Sequence, residues 1–583
     1  MTAVNKPLDL VLVWHMHQPD YRDHATGEFR EPWVYLHALK DYSDMAWHLE
    51  RHDGVRAVVN FTPVLLDQLE DYARQFATGR FADPLLALLA RREATPLTAQ
   101  ERAFAIDRCF RANHYNMIRP FAAYGRLYEL FRQVDGYGEE SLDWLSDRYL
   151  YDLVTWYHLA WTGETVRRES ALVARLMAQG SRFTEADRLA LLELSGTVIM
   201  GILPRWRALA ASGRIELSTT PHYHPISPLL IDLAAARETE PKAPLPAAPA
   251  YPGGRERADA QLRSAFESHA RRFGEVPEGL WPAEGALSGP FLRLLGSRGL
   301  AWTATGEGVL AASVREFEGR TLDRARDLYR PYRFPTLAPD LKVFFRDDRL
   351  SDLIGFEYQR WVGPDAAANF VAELHAVAAA AQEGERPVVS IILDGENPWE
   401  YFPYNGWYFL DALYERLVAD PAIRVTTYRA YLAERRGVAD TSADDTSPPP
   451  AAYGELAGIT AGSWVYGNLA TWIGSPDKNR AWDLLVAAKQ SYDLVVSSSR
   501  LDEQARATAT RALGDCEASD WFWWFGDYNP AEAVASFDRL YRAKLAYLYR
   551  VLGLPVPAAI EVPISRGAGH PEAGGTMRRS AGA

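Results

Sequence analysis

Short apolar, β-branched runs alternate with longer segments of helical spacing along most of this chain. Strands are predicted at Leu8–Trp14, Val55–Phe61, Arg214–Thr220, Glu278–Ala283, Leu300–Ala304, Leu341–Arg346 and Pro387–Leu393. Helices are predicted between them, as at Val64–Phe76, Arg257–Phe273, Ala366–Ala380 and Tyr408–Leu417. Because strand–helix alternation is typical of βαβ units with parallel pairing, the pattern indicates an α/β fold. Seven strands of this kind suggest a closed or nearly closed barrel.

The remaining segments suggest how the chain is divided. The barrel is predicted over residues 1–435, with a mostly helical insertion at about 95–209. Residues 436–452 contain three consecutive prolines and have the composition of a linker. A helical domain is predicted over 453–560, and a disordered tail rich in Gly, Ala and Arg over 561–583.

Composition and charge exclude several classes of protein. The 583 residues include 63 basic and 76 acidic ones, and the net charge of −13 argues against a nucleic-acid binder. Two cysteines, Cys109 and Cys516, exclude a disulfide framework and a four-cysteine zinc site. No apolar run reaches the ~18 residues that span a bilayer, and the N-terminal run is interrupted by Asp9. We therefore expect no membrane partner, no signal peptide and a cytoplasmic location.

Polar side chains follow the predicted strands at the point where each strand ends. They are His15 and His17, Asn60, His222 and His224, Glu284, Thr305 and Glu307, Asp347 and Asp348, and Asp394 and Glu396. In a β/α barrel the reaction site lies at the carboxyl ends of the strands, so these side chains are expected to converge there. The alternative is that polar loops simply begin at strand ends.

Two histidine pairs are among these strand-end residues. His15 and His17 are two residues apart on a strand, so their side chains point the same way, and His222 and His224 repeat the spacing in a proline-rich turn. Such histidines could bind a metal with a third ligand, bind substrate hydroxyls, or be structural. We favour contacts with substrate or with the carboxylates, and we predict neither a metal nor a cofactor.

Carboxylates follow two different predicted strands. Glu284 ends one strand, where an acidic group is costly unless it is paired or functional, and the neighbouring Trp281 is a candidate platform for a sugar ring. Asp394 and Glu396 come directly after another apolar strand. Paired carboxylates from different strands are what glycoside cleavage needs, one to attack and one to protonate the leaving oxygen. The alternatives are a helix cap for Glu284 and a solvated acidic loop for the other two.

An aromatic run occurs near the C-terminus. Three Trp and two Phe occupy the five positions Trp521–Phe525, which is more than one helical face needs. This helix is either buried all round or lines a groove, and we predict a mixed role. Trp524 and Asp527 are its candidates for contact with substrate.

Taken together, the motifs resemble those of glycoside hydrolase family 57. The matching segments are His15–Pro19, Tyr223–Pro225, Trp281–Glu284, Leu393–Glu396 and, more loosely, the Trp-rich run that ends at Asp527. The resemblance covers about residues 8–550, and five motifs in order are highly specific. The stretch from Asp394 to Glu400 looks most like the amylopullulanase and α-amylase members.

This resemblance implies a (β/α)7 barrel followed by a helical domain that contributes to the substrate groove, a retaining mechanism and α-glucan substrates. Glu284 matches the nucleophile and Asp394 the acid/base of the family. His15, His17, His224, Trp281, Glu396, Trp524 and Asp527 are the expected substrate-binding residues. No catalytic metal is implied.

The expected activity is hydrolysis of α-1,4 links in glycogen, starch or maltodextrin, with α-1,6 links left open. The family also holds 4-α-glucanotransferases and branching enzymes, which share both carboxylates, so transfer remains the main alternative. Less favoured are a non-catalytic glucan-binding protein and a metal-dependent hydrolase or deacetylase built on the histidine pairs. The sequence does not indicate an oligomeric state.

Overall fold

The structure, a computed structural model, describes residues 6–92, 96–137, 139–382, 384–437 and 452–568. Most of the predicted linker, and the predicted tail from residue 569 onwards, lie outside the described residues.

The strands are β1 (Leu8–Met16), β2 (Ala57–Phe61), β3 (Ile215–Thr219), β4 (Gly279–Leu280), β5 (Trp302–Thr305), β6 (Tyr332–Phe334), β7 (Ala338–Phe345), β8 (Val388–Asp394), β9 (Ile423–Thr426) and β10 (Gly454–Glu455). Each of the seven predicted strands has a counterpart. The others, β6, β9 and β10, have four residues or fewer and were not predicted. The strand β1 is buried at every position, as expected for a parallel strand covered on both faces.

The strands form one sheet that closes on itself. Its order is β10-β6-β7-β5-β4-β3-β2-β1-β8, with β9 beside the start of β1, and the only antiparallel strand pair among the described residues is β6 with β7. A parallel bridge between Arg346 and Ser390, and a 2.9 Å hydrogen bond from the Asp347 N–H to the Ser390 carbonyl, join the end of β7 to β8. The ring therefore consists of β1, β2, β3, β4, β5, β7 and β8, and the predicted (β/α)7 barrel is confirmed.

The α-helices are α1 (Trp33–His37), α2 (Ser43–Arg51), α3 (Pro63–Thr78), α4 (Pro84–Leu89), α5 (Ala99–Arg108), α6 (Ala122–Asp135), α7 (Asp147–Ala160), α8 (Glu164–Glu169), α9 (Ala171–Gln179), α10 (Glu185–Ala211), α11 (Ser227–Ile231), α12 (Gly254–Phe273), α13 (Gly289–Gly296), α14 (Glu307–Glu318), α15 (Arg324–Asp327), α16 (Asp348–Asp352), α17 (Gly363–Ala380), α18 (Trp407–Ala419), α19 (Tyr428–Gly437), α20 (Pro476–Ser497), α21 (Glu503–Cys516), α22 (Ser519–Trp524) and α23 (Ala531–Val551). Helices α5 to α10 make up the predicted insertion. Capping boxes at Thr98 and Thr184 begin α5 and α10. In the described part of the chain, no helix has the length and apolar character needed to cross a membrane.

The segment between the predicted linker and α20 differs from the prediction. A helical domain was expected from residue 453, but the first helix begins at Pro476. Before it, β10 extends the barrel sheet, and Gly462 exchanges two backbone hydrogen bonds with Leu287, of 2.9 and 3.1 Å. This segment is therefore attached to the barrel and brings Trp464 to its mouth.

The predicted tail also differs from the prediction at its start. Residues 561–568 pack against α23, because the Asp538 carboxylate accepts the backbone N–H of Ile564 at 2.7 Å, and the Ser565 hydroxyl accepts that of Gly526 at 3.0 Å. Ile564 and Ser565 are buried.

Candidate active site

A cavity lies where the barrel strands end, and its walls come from both sides of the predicted linker. The lining residues are His15, His17, Gln18, Pro19, Tyr21, Glu284, Arg346, Phe356, Leu393, Asp394, Glu396, Asn397, Trp464, Val465, Asp520, Trp523 and Trp524. The structure thus brings together six of the predicted site residues, namely His15, His17, Glu284, Asp394, Glu396 and Trp524. Both predicted catalytic carboxylates line this one cavity.

Glu284 has an unusual backbone conformation just after β4. Its φ of 56° and ψ of 23° are in the left-handed region, and Gly285 follows with a φ of 60°. A non-glycine residue held in this region costs about 1–3 kcal/mol and persists where the surroundings impose it. Trp464 supplies part of that constraint, because its backbone N–H donates to the Glu284 carbonyl at 3.1 Å and its indole Nε1 donates to Oε2 at 2.8 Å. The Glu284 carboxylate is thereby oriented.

Asp394 is the last residue of β8 and pairs in register with His15. Its Oδ2 accepts a 2.8 Å hydrogen bond from the Asn397 side-chain amide. Burial raises the pKa of Asp394 to about 6, although the Asn397 hydrogen bond and the charges of His17 and Arg346 act in the opposite direction. A carboxyl group that keeps its proton near neutral pH can serve as a general acid.

Glu396 lines the cavity and is held in place by hydrogen bonds to another part of the chain. It is buried, and its Oε1 accepts the backbone N–H of His17 at 3.1 Å and the Gln18 amide at 3.2 Å. Burial, followed by the charge of Asp394, raises the pKa of Glu396 well above its usual range. These contacts tie Glu396 to the loop after β1, whereas the sequence predicted contact with substrate.

His15 and His224 belong to a hydrogen-bonded row of side chains. His15 Nδ1 lies 2.7 Å from the Asn60 Oδ1, and His15 Nε2 lies 3.1 Å from His224 Nε2. Because the Asn60 oxygen can only accept, His15 donates from Nδ1 and accepts at Nε2, so His224 donates from Nε2. His224 Nδ1 then accepts from the Ser519 hydroxyl at 2.8 Å. Burial lowers the pKa of His15 to about 3 and that of His224 well below its usual value, so both rings are neutral.

His17 lies next to this row and pairs with a carboxylate from α22. Its Nε2 is 2.9 and 3.0 Å from the two oxygens of Asp520, and its Nδ1 is 3.1 Å from the Thr62 hydroxyl. Its ring stacks on that of His224, with 3.7 Å between centroids. The ligand atoms of His17, His224 and Asp520 lie within 4.8 Å of one another, and hydrogen bonds engage both ring nitrogens of His224 in this structure.

Three tryptophans line the cavity, and all of them follow the predicted linker. Trp464 lies before α20, and Trp523 and Trp524 belong to α22. Trp464 lies between the Trp281 ring, 5.1 Å away between centroids, and the Arg346 guanidinium, 5.5 Å from its centroid. Trp524 is half-buried and stacks on Phe537 at 4.6 Å. Such surfaces can stack on the apolar face of a sugar ring.

Three predicted site residues lie outside the cavity lining. Trp281 is fully buried beneath Trp464, so a sugar ring cannot reach it. Asp527 is exposed on the loop after α22, and Asp520 is the carboxylate that this run supplies. His224 contacts the site only through His15 and His17. Of the residues not predicted, Asn397 lies within the motif from Asp394 to Glu400, whereas Trp464 gave no recognisable signal.

The chain belongs to glycosyl hydrolase family 57, whose sequence model matches residues 11–440. Both the predicted family and the predicted enzyme class, a glycoside hydrolase with transfer left open, are thereby confirmed. A search of curated proteins gave no match.

Similar solved structures share the fold. A branching enzyme of this family from Pyrococcus horikoshii has a TM-score of 0.59 at 16% identity, over 94% of this chain and 89% of that one. A branching enzyme from Thermococcus kodakaraensis gives 0.55 at 16%, over 94% and 90%. The α-amylase AmyC from Thermotoga maritima gives 0.52 at 13%, over 95% and 96%.

Proposed function

We propose that this protein cleaves α-1,4 glucosidic links of α-glucans by a retaining mechanism. Glu284 attacks the anomeric carbon while Asp394 gives its proton to the departing oxygen, which forms a glycosyl-enzyme ester. Asp394 then takes a proton from water, and the hydroxide oxygen displaces Glu284 from the sugar. The observation that carries this proposal is the pair of carboxylates, from the ends of β4 and β8, on the walls of one cavity.

The environments of the two carboxylates support this division of roles. The indole hydrogen bond to Glu284 Oε2 stabilises a negative charge on that carboxylate and fixes its direction. Burial raises the pKa of Asp394 to about 6, so this carboxyl holds its proton at a higher pH than an ordinary aspartic acid. One acid that attacks and one that holds a proton are the pair that a retaining glycosidase uses.

The walls support a glucan as substrate. Trp464, Trp523 and Trp524 offer ring faces for glucose units, and the hydrogen-bonded side chains of His17 and Asp520 offer polar atoms for sugar hydroxyls. The names of the structural relatives, two branching enzymes and an α-amylase, point to the same class of substrate.

The second candidate is transfer of the glucosyl group to another sugar, as in a 4-α-glucanotransferase or a branching enzyme. Trp523 and Trp524 favour it, because aromatic faces on the wall can hold an acceptor ring where water would otherwise attack. Incubation with pure maltoheptaose, followed by sizing and linkage analysis, separates the candidates. Shorter products alone mean hydrolysis, longer linear products mean transfer, and new α-1,6 links mean branching.

The mechanism itself is tested with an activated 2-fluoro-glucoside, which traps a glycosyl-enzyme. We expect mass spectrometry to find one added sugar on the peptide that contains Glu284, and none on Glu284→Gln. Glu278→Gln, a change at a carboxylate whose partner is Arg429, is the matched control and should be labelled like the wild type. An adduct on another residue, or a first-formed product of inverted configuration, would contradict the proposal.

A further inference from the structure

Three exposed aromatic side chains lie outside the cavity on the loops that line it. Trp361, Tyr404 and Tyr408 expose 46%, 56% and 46% of their surfaces, and we call them the rim aromatics. Trp361 follows the cavity-lining Phe356 in the segment between β7 and α17. Tyr404 follows the cavity-lining Asn397 on the loop after β8, and Tyr408 lies in the first turn of α18 at the end of that loop. The two segments therefore connect the cavity wall directly to these rings.

The rim aromatics are close to one another. A Cβ placed on Gly363 would lie 3.0 Å from the Tyr408 Cβ, so the turn after Trp361 packs against Tyr408. The rings of Tyr404 and Tyr408 meet edge to face, with 5.5 Å between centroids. Helices α17 and α18 both begin at this surface, and the helices that follow barrel strands begin at the carboxyl edge of the barrel. The rim aromatics thus form one surface at the barrel mouth.

A strained and firmly anchored backbone presents Tyr404 to solvent. Tyr404 and Asn405 have φ values of 53° and 52°, where side chains other than glycine are disfavoured. The buried Asn405 imposes this conformation, because its Oδ1 accepts from Lys40 Nζ and its Nδ2 donates to Asp44, both at 2.8 Å. Lys40 and Asp44 are themselves buried. Buried charged contacts therefore hold the Tyr404 ring in a fixed position at the surface.

The orientation of Tyr408 is also fixed, by a neighbouring cation. Arg168 donates to its hydroxyl at 3.3 Å and lies over the Trp407 ring at 4.6 Å. Arg168 pairs with Glu164, whose Oε1 accepts its Nε at 2.8 Å, and Arg167 contacts the same carboxylate at 3.0 Å. The surface therefore offers oriented aromatic rings, which suit a ligand with flat apolar faces.

We propose that the rim aromatics are a second carbohydrate-binding surface, which holds an α-glucan chain outside the cavity. The identity of the ligand rests on the function proposed above. Glucose rings present apolar faces that stack on Trp and Tyr, and a long chain that leaves the cavity on this side would cross the rim aromatics. The surface would favour polymers over short oligosaccharides, because a polymer can occupy cavity and rim at once.

Affinity electrophoresis in gels that contain amylopectin tests this surface without any need for turnover. Every protein carries Glu284→Gln, so that the polymer is not cut. The test variant adds Trp361→Ala and Tyr404→Gly; glycine suits the left-handed backbone, so loss of the ring does not add strain. Trp144→Ala removes a side chain that is 69% exposed on the helical insertion and is the matched control.

We expect the test variant to bind amylopectin about tenfold more weakly than its parent, with unchanged thermal stability. The Trp144→Ala control should migrate like the parent, and a β-linked glucan should retard none of them. Equal retardation of test variant and parent, or an equal loss in the control, would overturn the inference. The proposed function is tested by a different experiment, the cleavage of maltoheptaose by the wild-type protein. If that cleavage is absent, weaker retardation of the test variant in amylopectin would still support the binding surface.

Discussion

Substitution of Asn397 by Ala should move the pH dependence of catalysis to higher pH. Asn397 donates to Asp394 Oδ2 at 2.8 Å and so favours the ionised form of that carboxyl, which in the proposed mechanism must be protonated to act. A hydrogen bond to a charged group is worth about 1.5 kcal/mol at the lower end of its range. Since one pKa unit corresponds to about 1.36 kcal/mol, removal should raise the pKa of Asp394 by about one unit.

The measurement is kcat/KM for maltoheptaose between pH 4 and pH 9. The wild-type rate should fall as pH rises through about 6, the pKa of Asp394, and the fall in Asn397→Ala should occur about one unit higher. The maximum rate should also drop, because Asp394 loses an orienting contact. Asn116→Ala, which removes a 3.0 Å hydrogen bond to the Glu400 carbonyl further along the same loop, is the control and should leave the pH profile in place. A basic limb that stays where it is in Asn397→Ala, or moves to lower pH, would refute the reasoning.

Three further outcomes are expected. Asp520→Asn removes a negative charge that raises the pKa of Asp394, so the basic limb should move to lower pH, opposite to Asn397→Ala; a shift upward would contradict the charge argument. Trp464→Phe keeps a ring but removes the indole donor to Glu284, and it should lower kcat about 10- to 100-fold with little change in melting temperature; an unchanged kcat would show that this hydrogen bond does not orient the nucleophile. Exhaustive chelation should leave activity intact, whereas loss of activity that zinc restores would favour a metal at His17 and Asp520.

The barrel could be predicted because its strands are continuous apolar runs, and the carboxylates could be predicted because they end those runs. The alternation of the seven ring strands with helices specifies parallel pairing, so strand ends far apart in sequence must meet. This rule brings Glu284 and Asp394 to one end of the barrel together with the other strand-end side chains, and the family resemblance gives these two their expected catalytic roles. The rule does not say which neighbour of a strand end faces the cavity, and for that reason Trp281 was predicted at the wall although it is buried below it.

The cavity-lining residues that follow the predicted linker could not be predicted by this rule. Trp464 lies on a segment in which the one strand among the described residues, β10, has two residues, so no periodicity marks it. In the Trp-rich run, the sequence pointed to Asp527, whereas Asp520 faces the cavity because it lies in the first turn of α22 beside His17. Both positions depend on how two distant parts of the chain dock, and local pattern carries no information on that docking.

The attachment of Trp464 to Glu284 also has a consequence for biosynthesis. The barrel sequence is synthesised before the segment that carries Trp464 and the helix that carries Asp520. N-terminal parts of a chain fold first during synthesis. The nascent barrel then already holds both acids, but one of them lacks its orienting partner and the cavity lacks a wall. Turnover should therefore begin only when the last helices have been synthesised and docked. A stalled or prematurely terminated polypeptide should have no catalytic activity.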